Sequence, residues 1–388
     1  MQGNSGIASS MEKYGIGAYS MKGVALVRGE GEFVFDADGN RYIDCISGHG
    51  STNLGHAHPA VVQAVRGQAG KLIGCPKTFY NDAALSVRDE LHLIAPKELW
   101  GMFFCNSGTE AVEAALKLAR ACTKKKDFVA CIGSFHGRRM GSLSLTWSKK
   151  YREAFEPLLG GVRHVRFGDA GAIESAIGEQ TAAVILEPIQ GEVGVKIPPE
   201  GYLRQVREIC DEKGVLLILD EVQTGFARTG LNFECEREGV VPDAMCLAKS
   251  MAAGLPIGAI IAREGLKFGP KQHGSTFGDN PLVCAAAAAA MRAIREERLA
   301  QRSALEGGLF LSRLAKMKGN GTVNDVRGRG MMIALEVAKP PDQCVKAALS
   351  RGLLVFPGGE SAIRAYPPLI ASRASLDRAA SILEEVLS

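Results

Sequence analysis

Short apolar runs alternate with longer amphipathic segments through the middle of the chain, from about residue 59 onward. The apolar runs predict buried strands at residues 102–105, 128–131, 182–186, 216–219, 244–247 and 257–262. Apolar side chains at helical spacing predict helices at residues 59–72, 108–122, 199–213 and 281–297. Continuous apolar strands separated by helices predict an α/β fold whose sheet is mostly parallel and covered on both faces.

The two ends of the chain carry shorter apolar runs. These predict further strands at residues 24–34, 41–43, 323–327, 331–337, 353–355 and 362–364. Residues 1–10 are small and polar, so we expect them to be loose. The pattern predicts three parts: an N-terminal segment of residues 1–48 that joins a smaller α+β domain of residues 286–388, and a large domain of residues 49–285 between them.

The composition is that of a folded protein with an ample apolar core, with 46% hydrophobic and 23% charged residues. The formal net charge is +4 and no basic run exceeds residues 124–126, which argues against nucleic-acid binding. No apolar run is long enough to span a bilayer, and the ten cysteines include no C-x-x-C pair. We therefore expect a cytoplasmic protein that does not enter membranes. The seven histidines show no metal-binding spacing, so we predict no metal site.

The most informative chemical feature is one carboxylate and one lysine, each at the end of a predicted strand. Asp220 follows the apolar residues 216–219, and Lys249 follows the apolar residues 244–248. This arrangement suits pyridoxal 5′-phosphate. A carboxylate keeps the ring nitrogen of that cofactor protonated, and a lysine bonds to its aldehyde and then carries a proton.

Other polar motifs follow strands, and each has two interpretations. Residues 106–110 (Asn-Ser-Gly-Thr-Glu) lie between a strand and a helix, where they form either a phosphate site or an ordinary helix cap. Phe135 either stacks on a planar ligand or is simply buried, and Arg138 either binds a carboxylate or lies on a surface loop. The acidic residues of 187–192 are expected to face the ligand crevice at the sheet edge. The hydroxyls of residues 274–278 offer a second phosphate contact.

The order of these motifs along the chain resembles that of the class III aminotransferases, pyridoxal-phosphate enzymes of fold type I. The resemblance extends from about residue 24 to residue 387. It is carried by NSGTE (106–110), SFHGR (134–138), EPIQGE (187–192), LDEVQTG (219–225), LAK (247–249), GSTFG (274–278) and IRAYPPL (363–369). It implies a large domain with a mostly parallel seven-stranded sheet, a smaller α+β domain, and a homodimer with its active site at the interface.

The resemblance implies a role for each matching residue. Lys249 would be the Schiff-base lysine, and Asp220 would pair with the pyridine nitrogen. The other cofactor contacts would be Ser107, Gly108, Thr109, Phe135, Val222, Gln223 and, from the second subunit, Thr276. The substrate contacts would be Tyr19, Arg138, Glu192, Ser275 and Arg364. Glu192 would neutralise Arg364 while the amino donor binds, and then release it for the carboxylate of 2-oxoglutarate.

Within this family the chain resembles the acetylornithine aminotransferase group. Residues 141–147, followed by Lys150-Tyr151-Arg152, resemble the branch of lysine and arginine biosynthesis that acts on amines borne by an acidic amino-group carrier protein. The mildly basic charge suits an acidic partner. Acetylornithine, free ornithine and succinyl-diaminopimelate remain as alternative donors. Decarboxylation or an aminomutase reaction on the same cofactor is a second hypothesis, and a non-catalytic regulator is a third, against which the intact Lys249 and Asp220 argue.

Four positions depart from the pattern of the family, which usually has glycine where Val193, Ala227, Ala253 and Asp279 stand here. Ala227 and Ala253 need only compatible backbone angles. Val193 follows Glu192 and is expected to alter its mobility. Asp279 adds a negative charge near Thr276, so we expect weaker binding of phosphate or of an acidic substrate.

Overall fold

The computed structural model describes residues 3–319 and 321–388. Its strands, in chain order, are β1 (Leu26–Glu30), β2 (Phe33–Asp36), β3 (Arg41–Asp44), β4 (Gly101–Cys105), β5 (Asp127–Cys131), β6 (Val162–Val165), β7 (Thr181–Leu186), β8 (Leu216–Asp220), β9 (Ala244–Leu247), β10 (Gly258–Ala262), β11 (Val323–Arg329), β12 (Met332–Val337), β13 (Leu353–Leu354), β14 (Phe356–Gly358) and β15 (Ala362–Ala365).

The helices and helical turns are α1 (Asn4–Tyr14), α2 (Ser47–Gly50), α3 (Pro59–Ala69), α4 (Asp82–Ile94), α5 (Gly108–Thr123), α6 (Met140–Leu145), α7 (Lys149–Arg152), α8 (Ala170–Ala176), α9 (Tyr202–Lys213), α10 (Pro281–Glu296), α11 (Leu299–Ala315), α12 (Pro341–Leu349) and α13 (Arg373–Leu387). Short 3-10 turns cover Glu153–Phe155, Glu234–Glu238 and Lys249–Ala252. Among the described residues, no helix combines the length and the apolar character that crossing a bilayer requires.

A seven-stranded sheet in the order β4-β10-β9-β8-β7-β5-β6 forms the centre of the fold. Only β10 runs against its neighbours β4 and β9, so the sheet is mostly parallel, as predicted. Successive residues of a strand face opposite sides. Ile218 therefore packs with α5 on one face, while Leu217 and Leu219 face the other side, which α9 covers.

Two four-stranded sheets complete the fold, in the orders β1-β2-β3-β13 and β11-β12-β15-β14. β3 pairs in parallel with β13, so the N-terminal strands lie beside the C-terminal part of the chain. The domain boundaries at residues 48 and 285 stay a prediction; α10 crosses the second of them. Residues 1, 2 and 320, which belong to the predicted terminal parts, lie outside the described residues.

Two expectations for the N-terminal part were wrong. Residues 24–34 form two strands, because the chain reverses at Gly31, whose φ is +53°. Residues 4–10 are helical rather than loose. The side chain of Asn4 holds this helix in place, since it donates to Asp36 at 2.9 Å and accepts from the N–H of Ala25 at 2.9 Å.

Candidate active site

A cleft of about 510 Å³ opens at the carboxyl ends of the central parallel strands. Asp220 ends β8 and lies beside Cys246 of β9 in the parallel register, so Lys249, three residues further, reaches the same edge. Phe135 follows β5 and Glu187 follows β7, and both line the cleft. Since the carboxyl ends of parallel strands share one edge, residues far apart in sequence meet here.

The N-terminus of α5 forms one wall of this cleft. Ser107 caps the helix, accepting from the N–H of Glu110, while the Glu110 carboxylate accepts from the N–H of Asn106 at 2.8 Å. Ser107, Gly108 and Thr109 line the cleft, so the N–H groups of the first helical turn are placed to bind an anion.

Gly108 also makes room for a neighbouring side chain. A Cβ at this position would lie 2.7 Å from a methyl carbon of Val222, so only glycine lets Val222 approach the helix start. Val222 and Phe135 both line the cleft and provide apolar surface for a planar ring.

Asp220 is held by a histidine that the sequence reasoning did not single out. Nδ1 of His136 lies 2.8 Å from the Asp220 carboxylate, and the N–H of Val222 donates to the same carboxylate at 3.1 Å. Both side chains are buried, and the Nε2 of His136 is a buried polar atom without a hydrogen-bond partner. The signal was the position of His136, directly after Phe135 in a motif that follows a strand.

Lys249 combines a strained backbone with a buried amine. Its φ of +48° lies in the left-handed region, which is uncommon for residues other than glycine. Burial lowers the pKa of the Lys249 amine, although the charges of Glu192, Asp220 and Glu187 oppose that shift. The shift favours the neutral amine, which is the nucleophilic form.

Glu192 and Arg364 form a bidentate ion pair, with N–O distances of 3.0 and 3.1 Å. The guanidinium also donates to the carbonyls of Gly191 and Pro357, and it lies 4.2 Å from the ring centroid of Phe356. Burial raises the pKa of Glu192, but the charge and hydrogen bonds of Arg364 outweigh it and lower that pKa to about 2. Both partners are therefore charged at neutral pH.

Glu187 and Tyr366 also belong to the site. Glu187 was expected to face the crevice and it lines the cleft, whereas the sequence gave Tyr366 no role. The Glu187 carboxylate accepts from the N–H of Phe135 at 2.9 Å and from the N–H of Gly191 at 3.3 Å. Burial raises the pKa of Glu187 to about 7, although the charge of His136 lowers it. Tyr366 donates its hydroxyl to the Gln223 oxygen at 2.9 Å, which fixes Gln223 in the cleft.

Arg138 and Tyr19 lie at the mouth of the cleft. Both are exposed and both line it. The Arg138 guanidinium lies 4.4 Å from the ring centroid of Tyr151, and the edge of that ring packs on Phe135. The predicted substrate contact at Arg138 is therefore connected through Tyr151 to the helical turn α7.

Ser275 and Thr276 are not part of the cleft lining within this chain. Ser275 accepts from the Asn106 amide at 3.3 Å and from the N–H of Gly278 at 3.1 Å, so it lies next to the start of α5. Thr276 is exposed and lies outside the cleft lining of its own chain. Its role toward a second subunit stays a prediction.

Three of the four positions with unusual residues adopt the backbone conformation that glycine prefers. Ala227, Ala253 and Asp279 have φ values of +68°, +50° and +56°. The charge of Asp279 has a partner, since Lys77 lies 2.7 Å from its carboxylate. This pair offsets the negative charge that we expected to weaken anion binding.

These features fit pyridoxal phosphate. The start of α5 can hold the phosphate, and Phe135 and Val222 can flank the ring. Asp220, fixed by His136, can pair with the ring nitrogen, and Lys249 can reach the aldehyde.

Comparison with known proteins agrees with this chemistry. The model of the family Aminotransferase class-III matches residues 16–387. The chain is 48% identical to acetylornithine aminotransferase of Methanopyrus kandleri, covering 97% of both chains. It is 41% identical to the LysW-aminoadipate semialdehyde transaminase of Deinococcus radiodurans, covering 97% of this chain and 89% of the relative.

The fold is also similar to those of solved enzymes. The ornithine aminotransferase of Toxoplasma gondii superposes with a TM-score of 0.95 at 32% identity, covering 100% of this chain and 95% of the other. The acetylornithine aminotransferase of Elizabethkingia anophelis gives a TM-score of 0.89 at 34% identity, covering 100% and 99%. The chain therefore belongs to the class III aminotransferases and is a pyridoxal-phosphate-dependent transaminase.

Proposed function

We propose that this enzyme moves a terminal amine between a long-chain amino donor and 2-oxoglutarate, with glutamate as the partner product. The observation that carries this proposal is the Glu192–Arg364 pair in the cleft beside Lys249. One cleft must take two unlike substrates in turn. While Arg364 is neutralised, the cleft suits a cationic or neutral chain, and once Arg364 is released it can bind a carboxylate.

Asp220, His136, Lys249 and Arg138 each have a separate role in the proposed reaction. Pyridoxal phosphate supplies the aldehyde and the electron-accepting ring when it is bound. Asp220 holds a negative charge against the ring nitrogen, and His136 keeps the carboxylate oriented. Nζ of Lys249 takes the proton from the donor carbon and delivers it again, for which its lowered pKa is suited. Arg138 binds the α-carboxylate of the substrate at the mouth of the cleft.

For the donor, we propose lysine or ornithine linked to an acidic carrier protein, in lysine or arginine biosynthesis. A basic rim supports this substrate, since Arg138, Arg139, Lys149 and Lys150 are exposed. The ring of Tyr151 contacts Arg138 and Lys150, while Arg139 pairs with Glu110. The similarity to the LysW-aminoadipate semialdehyde transaminase of Deinococcus radiodurans also favours this donor. Acetylornithine is the second candidate, which the 48% identity to the Methanopyrus enzyme favours.

A homodimer and a cytoplasmic location belong to the same proposal. Four aromatic side chains, Phe79, Tyr80, Trp100 and Phe277, are exposed around the Thr276 loop, a face that a second copy of the chain would cover. Thr276 would then complete the cofactor site of the other subunit. All ten cysteines are free, which suits a reducing compartment.

The test compares kcat/KM for carrier-linked lysine, acetylornithine and free ornithine, with glutamate as the measured product. Lys149→Glu/Lys150→Glu should reduce kcat/KM for the carrier-linked amine by about tenfold and leave acetylornithine unaffected, because only a macromolecular donor reaches the rim. Lys124→Glu/Lys126→Glu is the matched control, because it makes the same charge change just beyond the far end of α5, a helix of 16 residues and about 24 Å whose start lies at the cleft. A large preference for acetylornithine would exclude the carrier, and a failure to form glutamate from any of them would exclude the function.

A further inference from the structure

The chain makes a left-handed turn, α2, at the wall of the active-site cleft. Four consecutive residues have positive φ: Ser47 (+49°), Gly48 (+58°), His49 (+57°) and Gly50 (+82°). For residues with a side chain this conformation is unfavourable, and it normally occurs at single positions. Two such residues in one turn mean that the surrounding structure imposes this backbone.

The turn is bonded to the two chemically important segments of the site. The Asp44 carboxylate accepts from the N–H groups of Ile46 and Ser47, at 2.8 and 2.9 Å. The Ser47 hydroxyl donates to the carbonyl of Tyr366, two residues beyond Arg364. The hydroxyl of Ser250, the residue after Lys249, donates to the carbonyl of Gly50 at 2.7 Å. The backbone strain of the turn is therefore supported by contacts on both sides of the cleft.

This turn places His49 in the lining of the cleft. The imidazole and the Phe356 ring pack edge to face, with 5.4 Å between ring centroids. The Arg364 guanidinium stacks over the same Phe356 ring. Four charges act on His49 from the surrounding elements: Glu192 and Asp44 favour its protonated form, while Arg364 and Lys249 oppose it. The His49 side chain is exposed in the open cleft, yet desolvation by the cleft walls is the largest influence and lowers its pKa, so the ring is neutral and donates one N–H at neutral pH.

We propose that His49 is a positioning residue. Its imidazole donates a hydrogen bond to the Glu192 carboxylate when Arg364 leaves Glu192 and binds a carboxylate of a dicarboxylic acceptor. The proposal rests on the proposed function, in which Glu192 and Arg364 separate. Once separated, the Glu192 carboxylate, on a side chain that is only 28% exposed, has lost its charged partner and needs a new donor. His49 and Glu192 line the same cleft. The ring of Phe356 contacts both the His49 imidazole and the Arg364 guanidinium that binds Glu192.

The proposal makes His49 specific for one half of the reaction. Binding of the dicarboxylate requires the separated state, so losing the donor at His49 should weaken that step. The amine half-reaction uses the paired state and should be unaffected. At lower pH the imidazole gains a proton and becomes a stronger donor, so the dicarboxylate should bind more tightly in the wild type only.

The experiment uses the cofactor-loaded enzyme and two variants, His49→Gly and His49→Asn. Glycine accepts positive φ freely, so the turn is retained without the imidazole, and asparagine tolerates this backbone and keeps an N–H donor. Ala57→Gly is the matched control, since Ala57 also has a positive φ (+53°) and lies outside the cleft lining. The readouts are the dissociation constant of glutarate, a non-reacting dicarboxylate, and the rates of the two half-reactions measured separately.

We expect His49→Gly to raise the dissociation constant of glutarate and the KM for 2-oxoglutarate about tenfold, with the amine half-reaction changed less than twofold. His49→Asn should recover most of the loss, and Ala57→Gly should behave as the wild type. If both half-reactions change equally, or neither changes, His49 has no such role. A wild type that fails to pass an amine to 2-oxoglutarate would overturn the proposed function itself, and this role with it.

Discussion

Asp220 is held from two directions, by the ring of His136 and by the N–H of Val222. Both bonds leave the carboxylate facing the cleft with little freedom to turn. A fixed charge costs no reorganisation when the opposite charge develops, so its effect on the rate exceeds that of a mobile one. We therefore expect the buried histidine to contribute to the proposed role of Asp220.

Replacing Asp220 by Asn should lower kcat by roughly 100- to 1000-fold, because the amide carries no charge to stabilise a protonated ring nitrogen. The melting temperature should change little, since asparagine has the same shape and its oxygen still accepts from Val222. Steady-state kinetics with excess cofactor, together with thermal melting, measure both. A kcat within a few-fold of the wild type would contradict the role of Asp220.

For individual residues, the sequence predicted those that follow an apolar strand. It missed those whose position depends on contacts with residues far away along the chain. Lys249 and Asp220 were accessible because each follows a continuous apolar run. The role of His49 was not, because its position depends on hydrogen bonds that reach Tyr366 and Ser250. Those residues are hundreds of positions away along the chain, and no local pattern encodes a left-handed turn held from both sides.

Among the elements, the best predicted strands are those buried on both faces. β7 has only buried residues, and its apolar run identifies it without ambiguity. β6 was missed because its sequence, Val-Arg-His-Val, is short and half polar, as expected for the edge of a sheet. The helix α1 was missed because it buries no side chain, so it shows no amphipathic pattern.

The loop before α4 and the loop before α10 are joined by polar contacts around Asp279. Lys77 forms an ion pair with its carboxylate, and the Asn81 amide donates to its carbonyl at 3.3 Å. Asp279 is three residues beyond Thr276, so the first loop holds the second where the predicted phosphate contact begins. We therefore expect Lys77 and Asp279 to affect cofactor binding as a pair rather than independently.

Lys77→Ala should weaken cofactor binding by about tenfold, because it leaves the partly buried Asp279 carboxylate unpaired beside the phosphate contact. Lys77→Ala/Asp279→Gly should restore most of the affinity, since the charge is removed and glycine accepts the φ of +56°. Fluorescence titration of the apoenzyme with pyridoxal phosphate gives the dissociation constants. A double variant no better than Lys77→Ala would show that the charge of Asp279 does not act on the site.

At the scale of the whole molecule, three glutamates with shifted pKa values make stability depend on pH in opposite directions. Burial raises the pKa of Glu192, but Arg364 overrides it and lowers that pKa to about 2. This group stabilises the fold above about pH 4.5 and loses its effect as the pH falls toward 2. Burial raises the pKa values of Glu187 and Glu221 to about 7. These two acids hold a proton in the folded state that the unfolded chain releases, so their contribution is lost as the pH rises from about 4.5 to 7.

Glu221 isolates the second effect, since it lies outside the cleft lining. Its carboxylate accepts from groups that have no proposed part in the reaction, among them the Thr224 hydroxyl and the N–H of Cys235. Glu221→Gln is neutral at every pH, so only the wild type loses stability as its buried carboxyl is forced to ionise. The advantage of the wild type over this variant in free energy of unfolding should shrink by about 2 kcal/mol between pH 5 and pH 7. Urea unfolding of both proteins at pH 5, 6 and 7, with saturating cofactor, measures the difference, and Glu179→Gln at an exposed position gives the comparison for a surface carboxyl. If the free energy of unfolding depends on pH in the same way for Glu221→Gln and the wild type, Glu221 is already ionised inside the folded protein at pH 5.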